Sequence, residues 1–193
     1  MVTTESRHAA HGTERTALEE RLRALAGSVP DPELPVITLE ELGVLREVRV
    51  LGPGHVEVDL TPTYTGCPAV RTMATDIETV LRDRAGIPEV TVRTVLAPAW
   101  STDDISAEGR RKLAEFGVAP PRPGHRAADR TTGPVPVGLS PTRHAGEAAA
   151  GPVRCPHCGS ADTELLSRFS STACKALRRC LTCREPFDHF KEL

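Results

Sequence analysis

Apolar and polar positions alternate with two different periods in the first part of the chain. The stretch TERTALEERLRAL repeats leucine at helical spacing among charged residues, and the VPDPELP that follows ends this helix because its prolines exclude helical backbone. TLEEL has room for one helical turn. VLREVRVL and HVEVDLTP then alternate apolar with polar residues on either side of the turn GPGH, which predicts a β-hairpin.

The strongest helical pattern is CPAVRTMATDIETVLRDRAG, which has one apolar stripe and ends at Gly86. EVTVRTVLAP is a predicted third strand, and SAEGRRKLAEFG is a short helix with Ser106 as its N-cap. The order α-β-β-α-β-α predicts an α+β domain over residues 14–118, with a small three-stranded sheet packed with helices. Residues 1–13 are expected to form a disordered tail.

The composition changes after this domain. Residues 119–152 are rich in Pro, Gly and Ala without periodicity, which predicts a flexible linker before a separate module at 153–193. The N-terminus has no apolar signal region, and no run of 18 apolar residues occurs, so a cytoplasmic protein without a membrane partner is expected. Residues 14–121 carry 12 basic and 18 acidic residues, which argues against nucleic acid as a partner.

Five of the six cysteines lie in the C-terminal module. Two CxxC pairs, CPHCGS and CLTC, supply Cys155, Cys158, Cys180 and Cys183, and two such turns complete a tetrahedral thiolate site. Without an export signal, this clustering favours metal thiolates over disulfides. A module of this size with few aliphatic residues needs such a metal to fold. Structural zinc is expected, although four thiolates also hold iron or an iron–sulfur cluster.

Two further side chains of the module have open interpretations. Cys174 is either a buried small apolar side chain or a contact to a partner or a second metal. His157, inside the first CxxC pair, is expected to face solvent and not to bind the ion.

The motifs DPELP, TPTYTGCPA and APAWSTDDISAEGRRKLAEFGVAPP, followed by the cysteine-rich C-terminus, resemble the D subunits of bacterial phenylacetyl-CoA 1,2-epoxidase complexes. Some genomes label this component the J subunit. The resemblance covers residues 17–121 and 153–193, and the first part alone also resembles the wider iron–sulfur assembly domain. The long linker departs from the family pattern, as does Ser170, where glycine is expected.

The resemblance implies a non-catalytic, auxiliary role in aerobic phenylacetate breakdown. In such complexes other subunits supply the di-iron oxygenase and the flavin/[2Fe–2S] reductase, and these components are the implied partners. The D subunit would assist the maturation of a metal centre, most naturally the reductase cluster. The absence of di-iron ExxH helices, of GxGxxG and of ferredoxin-type cysteines agrees with this role. The alternative is a structural zinc-ribbon adaptor without metal-transfer chemistry.

Cys67 is the one cysteine outside the module. Pro68 suits a first helical position, so Cys67 is the predicted N-cap, where the helix dipole and unpaired amides would stabilise a reactive thiolate. The alternative is that cysteine replaces serine at an ordinary cap. The family resemblance favours a functional thiol that handles transient iron or a cluster. Asp31 and Glu33, in a rigid turn, either supply oxygen ligands near it or cap the next helix.

Overall fold

The computed structural model describes residues 4–122 and 152–192, and side chains within residues 14–122 and 152–192. The chain divides into two compact units. Unit 1 comprises Met1–Trp100 and Asp104–Lys112, and unit 2 comprises Ser101–Asp103 and Leu113–Leu193. Each is described separately below.

Unit 1 is an α+β unit with a three-stranded sheet, as the sequence predicts. The sheet order is β1-β2-β3, in which the first pair is antiparallel and the second is parallel with α3 as its crossover. Its elements are α1 (Thr4–Gly27), α2 (Leu39–Leu42), β1 (Leu45–Gly52), β2 (His55–Leu60), α3 (Val70–Ala85) and β3 (Glu89–Thr94). A short 3₁₀ turn (Thr102–Asp104) and α4 (Ala107–Glu115) follow, and the division between the units falls inside both.

The core of unit 1 is aliphatic and follows the predicted periods. Alternate residues of β2 point inward, and one stripe of α3 is buried. α3 ends where Gly86 adopts a left-handed conformation and donates its amide to Arg82 O. Ser106 Oγ accepts from the Gly109 amide at 2.9 Å, which confirms it as the N-cap of α4. The buried apolar positions of the two elements are Val56, Val58, Leu60, Met73, Ile77 and Leu81.

Gly43 is a position in unit 1 where the fold requires glycine. Thr38 and Glu41 form a capping box at the start of α2, and Gly43 ends the helix at a φ of 75°. A β-carbon at Gly43 would overlap the backbone carbonyl of Asp104. Both the backbone conformation and the close approach therefore exclude a side chain.

Unit 2 contains a four-stranded sheet of order β4-β7-β6-β5. Both pairings of β6, with β5 and with β7, are antiparallel, and β4 pairs in parallel with β7. Its strands are β4 (Val118–Ala119), β5 (Thr163–Ser167), β6 (Lys175–Cys180) and β7 (Pro186–Phe190). The small core around the cysteines consists of Ala119, Cys155, Cys180 and Phe187, with Val153 packed against it.

Element boundaries differ from those expected at two places. α1 begins at Thr4, inside the stretch 1–13 expected to be a tail. Ala119, expected to open the linker, belongs to β4, because its backbone pairs with His189 in β7. Most of the expected linker, residues 123–151, lies outside the described part of the chain.

Candidate metal centre

Two tight turns present the four predicted cysteine ligands. In the first, the Cys155 amide donates to Ser160 O and the Gly159 amide donates back to Cys155 O, both at 2.9 Å. In the second, the Cys180 amide donates to Glu185 O at 3.0 Å. Ser160 Oγ and Thr182 Oγ1, 2.8 Å apart, join the two turns. These hydrogen bonds hold the two sulfurs of each pair on one tight turn and join the two turns to each other.

The sulfur positions fit one tetrahedrally coordinated ion. The four Sγ atoms lie within 4.8 Å of one another, with separations of 3.8 Å for Cys155–Cys183 and 3.5 Å for Cys158–Cys180. A Zn–S bond of about 2.3 Å places tetrahedral sulfurs about 3.8 Å apart. Cysteines that bind different irons of a cluster must lie farther apart, so this spacing suits a single ion. With four sulfur ligands, such a site has no open position for a substrate.

The thiols of the site have divergent acidities. The amide of Cys183 donates to Cys180 Sγ at 3.4 Å, and this bond is the main reason that the pKa of Cys180 is lowered to about 6. A hydrogen bond from the Glu185 amide lowers the pKa of Cys183, but desolvation and the neighbouring sulfurs raise it to about 12. Four adjacent thiolates repel one another, so a bound cation is what permits all four to be deprotonated.

A residue with left-handed backbone follows each CxxC pair, and the one after the second pair was not anticipated from the sequence. Gly159 has a φ of 76°, and Arg184, at the equivalent place, has a φ of 68°. Both turns thus end in a left-handed residue, which costs a non-glycine side chain on the order of 1–2 kcal/mol. The repeated CxxC spacing is the signal that could have identified Arg184.

The two side chains with open interpretations lie outside the four-sulfur set. Cys174 is buried, its Sγ is 3.0 Å from Thr172 Oγ1, and its carbonyl accepts from the Lys191 amide. This position suits a buried small side chain. His157 is exposed and is not among the ligands.

Ser170, which departs from the resemblance, has a defined role in the strand packing of unit 2. Its hydroxyl donates to Asp188 Oδ1, and the other oxygen of Asp188 lies 3.3 Å from Nζ of the buried Lys175. The Ser170 amide also donates to Lys175 O at 3.1 Å. The serine thus helps to satisfy a carboxylate that compensates a buried cation.

In unit 1, the structure corrects the predicted cap at Cys67. α3 begins at Val70 with Ala69 as its N-cap, and no side chain caps this end. The Cys67 amide donates to Tyr64 O at 3.1 Å, so Cys67 and Pro68 belong to a turn before the helix. Proline suits such a turn as well as a first helical position, which is why the local sequence was ambiguous. Cys67 is half-buried.

Asp31 caps a turn rather than a helix. Its Oδ1 accepts from the amides of Glu33 and Leu34, both at 2.8 Å, and only 4% of the residue is exposed. The next helix, α2, is capped by Thr38. Glu33 is half-buried beside this turn. Within the described residues, the four cysteines of unit 2 are the one group of three or more potential ligands, so Cys67, Asp31 and Glu33 do not form such a group.

A charged network on the outer face of the unit 1 sheet was not anticipated. Asp59 is 7% exposed and accepts hydrogen bonds from Arg49 at 2.7 Å and from Arg93 at 2.9 and 3.1 Å. Arg49 also donates to Glu57 at 2.8 Å. Burial alone would raise the pKa of Asp59, but the two arginines hold it below its usual value. Their placement on one face follows from the register of the three strands, in which Arg49 lies opposite Glu57 and Arg93 lies opposite Asp59.

No helix in the described residues is both long and apolar enough to cross a bilayer.

Two family descriptions match the chain. Residues 16–94 match "Iron-sulfur cluster assembly protein", and residues 140–191 match "PaaD zinc beta ribbon domain". The first match lies in unit 1, and the second includes all four cysteine ligands.

Individual relatives agree with these matches. The chain is 42% identical over 168 residues to the putative D subunit of the 1,2-phenylacetyl-CoA epoxidase of Escherichia coli K12, covering 87% of this chain and 89% of the relative. It is 30% identical over 95 residues to "Fe-S protein maturation auxiliary factor" of Porphyromonas gingivalis, covering 49% and 90%. A crystal structure of the domain of unknown function DUF59 from Bacillus anthracis is 27% identical with a TM-score of 0.50, covering 53% of this chain and 96% of that one.

Proposed function

Because the chain belongs to the family of the 1,2-phenylacetyl-CoA epoxidase D subunits, we propose that it is a non-catalytic accessory subunit of such an epoxidase complex in aerobic phenylacetate breakdown. It acts in the cytoplasm and assists the maturation of the complex's iron–sulfur centre. Its partners are the other subunits, above all the reductase that carries the cluster and the oxygenase that uses its electrons.

The observation that carries this proposal is the combination of two matches in one chain. The iron–sulfur assembly match occupies unit 1, and the relative named as a maturation auxiliary factor covers about half of the chain. The zinc ribbon match links the same chain to the epoxidase subunit. A role in maturing a cluster-bearing subunit of that complex accounts for both the assembly match and the zinc ribbon match.

The residues of unit 2 fit a structural zinc ion held by the four cysteine sulfurs. When bound, the ion supplies a cross-link between the two CxxC turns and no reactive position. The chain contributes the two CxxC turns and an amide donor to the Cys180 sulfur, which favours thiolate over thiol. Unit 2 thereby becomes a rigid module for contact with a partner subunit.

Cys67 is the side chain proposed to handle the cargo, iron or a cluster on its way to the reductase. The residue is half-buried in a turn and is not part of the buried core of unit 1. Asp31 and Glu33 belong to a rigid turn that would add oxygen ligands only if the cargo or partner drew them together. The carboxylate of Asp31 already accepts two amides, which makes it the weaker candidate of the two.

The test is the iron and labile sulfide content of the reductase matured in cells that contain wild type, Cys67→Ser or none of this chain. We expect a low cluster content without the chain and with Cys67→Ser. Thr65→Ala is the matched control, because Thr65 is exposed in the same turn and its loss leaves the thiol in place.

The sample without the chain and the sample with Cys67→Ser test different parts of the proposal. Full cluster content with Cys67→Ser alone would remove the role of the thiol. Full content without the chain would remove the maturation role and leave the alternative, a zinc-ribbon adaptor whose loss weakens assembly of the complex but not cluster filling.

A further inference from the structure

The two edge strands of the unit 1 sheet differ in whether their outward backbone groups have hydrogen-bond partners. At the outer edge of β1, Glu19 Oε1 accepts from the Val50 amide at 2.9 Å. Arg23 donates to the carbonyls of Arg46 and Leu45 at 2.9 and 3.2 Å. Side chains of α1 therefore form hydrogen bonds with backbone groups of β1 that would otherwise be available to pair with another strand.

The outer edge of β3 is open within the described residues. The Glu89 amide donates to Gly54 O and the Val95 amide to Leu60 O, so odd-numbered residues of this strand bond toward β2. The backbone groups of even-numbered residues consequently point away from the sheet. In residues 4–122 and 152–192, no hydrogen bond from a side chain or another strand reaches the outward groups of Val90, Val92 and Thr94.

The sequence of this edge is complementary to itself. If two copies of β3 pair antiparallel about Thr91, Val90 faces Val92 of the second copy, and Glu89 faces its Arg93. The facing valines are both even-numbered, so their outward groups meet as a hydrogen-bonded pair. Glu89, Thr91 and Arg93 are exposed on the polar face, while Val90 is buried on the core face.

Charge selects this register among those that the backbone allows. A pairing centred on Val92 also joins outward groups, but it sets Glu89 opposite Val95 and Arg93 opposite Thr91. A pairing centred on Val90 sets Glu89 opposite Thr91. Of these three registers, only the one centred on Thr91 makes two opposite-charge pairs, which stabilise cross-strand pairing.

We propose that the chain forms a two-fold symmetric dimer in which the β3 edges of two copies pair antiparallel and make one six-stranded sheet. Such an interface is isologous, so each contact occurs twice. Because it rests on one short strand from each copy, the dimer is weak and forms in a concentration-dependent manner. This inference does not depend on the proposed function.

Cross-linking of the full, metal-loaded chain tests the register directly. In the dimer the two Thr91 residues form a non-hydrogen-bonded pair with Cα atoms about 4.5 Å apart, which is within reach of a disulfide. Thr91→Cys should therefore cross-link under mild oxidant at least about tenfold faster than Glu89→Cys. In the latter, the introduced thiols lie roughly 13 Å apart along the strands, beyond bonding distance. Peptide mapping distinguishes this bond from bonds to native cysteines.

Sedimentation equilibrium provides the second arm and introduces no thiol. Glu89 is exposed, and its nearest described ionic partner is His55 at 3.8 Å, so its replacement leaves the monomer intact. Glu89→Lys places two like-charge pairs in the interface and should raise the dimer dissociation constant roughly tenfold. Glu20→Lys on α1 carries the same charge change elsewhere and should have no effect. Equal cross-linking rates, or a chain that stays monomeric at all concentrations, would overturn the proposal.

Discussion

Unit 1 and unit 2 each contain a small sheet, but different forces hold the two sheets together. The sheet of unit 1 buries aliphatic side chains of β2 against α3, and its outer face is tied by ion pairs around Asp59. The buried apolar residues of the unit 2 sheet region include Cys155, Cys174 and Cys180, with phenylalanine and alanine and few aliphatic side chains. Unit 1 thus resembles an ordinary hydrophobic domain, whereas unit 2 has a small core around four potential metal ligands.

This contrast shows how a short chain segment can fold without a large core. Below about 40 residues, burial rarely outweighs the loss of conformational entropy. A structural zinc ion contributes about 10–16 kcal/mol of apparent binding energy in comparable modules, and that energy becomes folding energy. The two units should therefore fail under different treatments.

The largest expected effect is on unit 2 alone. Cys180→Ser leaves three thiolates, so the ion should be lost and residues 152–192 should become sensitive to protease while β1–β3 remain protected. Zinc analysis and limited proteolysis measure both outcomes. Cys174→Ser is the matched control, since its sulfur lies outside the set of four and zinc content should stay at one per chain. Retention of tightly bound zinc by Cys180→Ser would refute the tetrathiolate site.

The next effect should be confined to unit 1. Gly43→Ala forces a side chain into a left-handed position and against the Asp104 carbonyl, so we expect a loss of at least about 2 kcal/mol in the free energy of unfolding. Gly86→Ala is the control, because its φ is similar at 67° but no atom lies within 4 Å of the added carbon. It should lose about 1 kcal/mol. Equal losses would show that the close approach is unimportant.

Acid should weaken unit 1 through Asp59. Its pKa is held below the ordinary value of 3.8, so its carboxylate stabilises the fold above that value, and this contribution is lost as the pH falls through the lowered pKa. Asp59→Asn should lower the free energy of unfolding by about 1–3 kcal/mol at pH 7. It should also make this free energy fall less steeply with pH below about pH 4. Urea unfolding at several pH values tests this. If the free energy of unfolding falls equally steeply with pH in the variant and in wild type, other groups cause the acid sensitivity.

The smallest effect on stability is expected for Cys67→Ser. The side chain is half-buried, and the hydrogen bond that fixes this turn comes from the Cys67 backbone amide, so stability should change by no more than about 0.5 kcal/mol. Thermal unfolding beside wild type measures the change. A loss above about 2 kcal/mol would mean that the sulfur is part of the core, and the cluster-filling experiment would then need a different variant.

Local patterns allowed much of this structure to be predicted. The β-hairpin, the α3 stripe ending at Gly86 and the cysteine set each depend on residues close together in sequence or on a fixed spacing. The pairing of β4 with β7 could not be foreseen, because it joins two residues to a strand nearly 70 positions away. The cap at Cys67 was wrong because proline fits both a helix start and the turn before it. The Asp59 network needed the strand register, which single-strand patterns do not contain.

Hydrogen exchange with and without a strong chelator tests the central claim most directly, because it reports on both units in one sample. We predict that chelation removes the protection of amides in β5, β6 and β7, while amides in β1, β2 and β3 exchange at unchanged rates. Readdition of zinc should restore the lost protection. Equal protection of unit 2 in the metal-free and metal-bound chains would contradict the account, because its strands would then be held by burial alone.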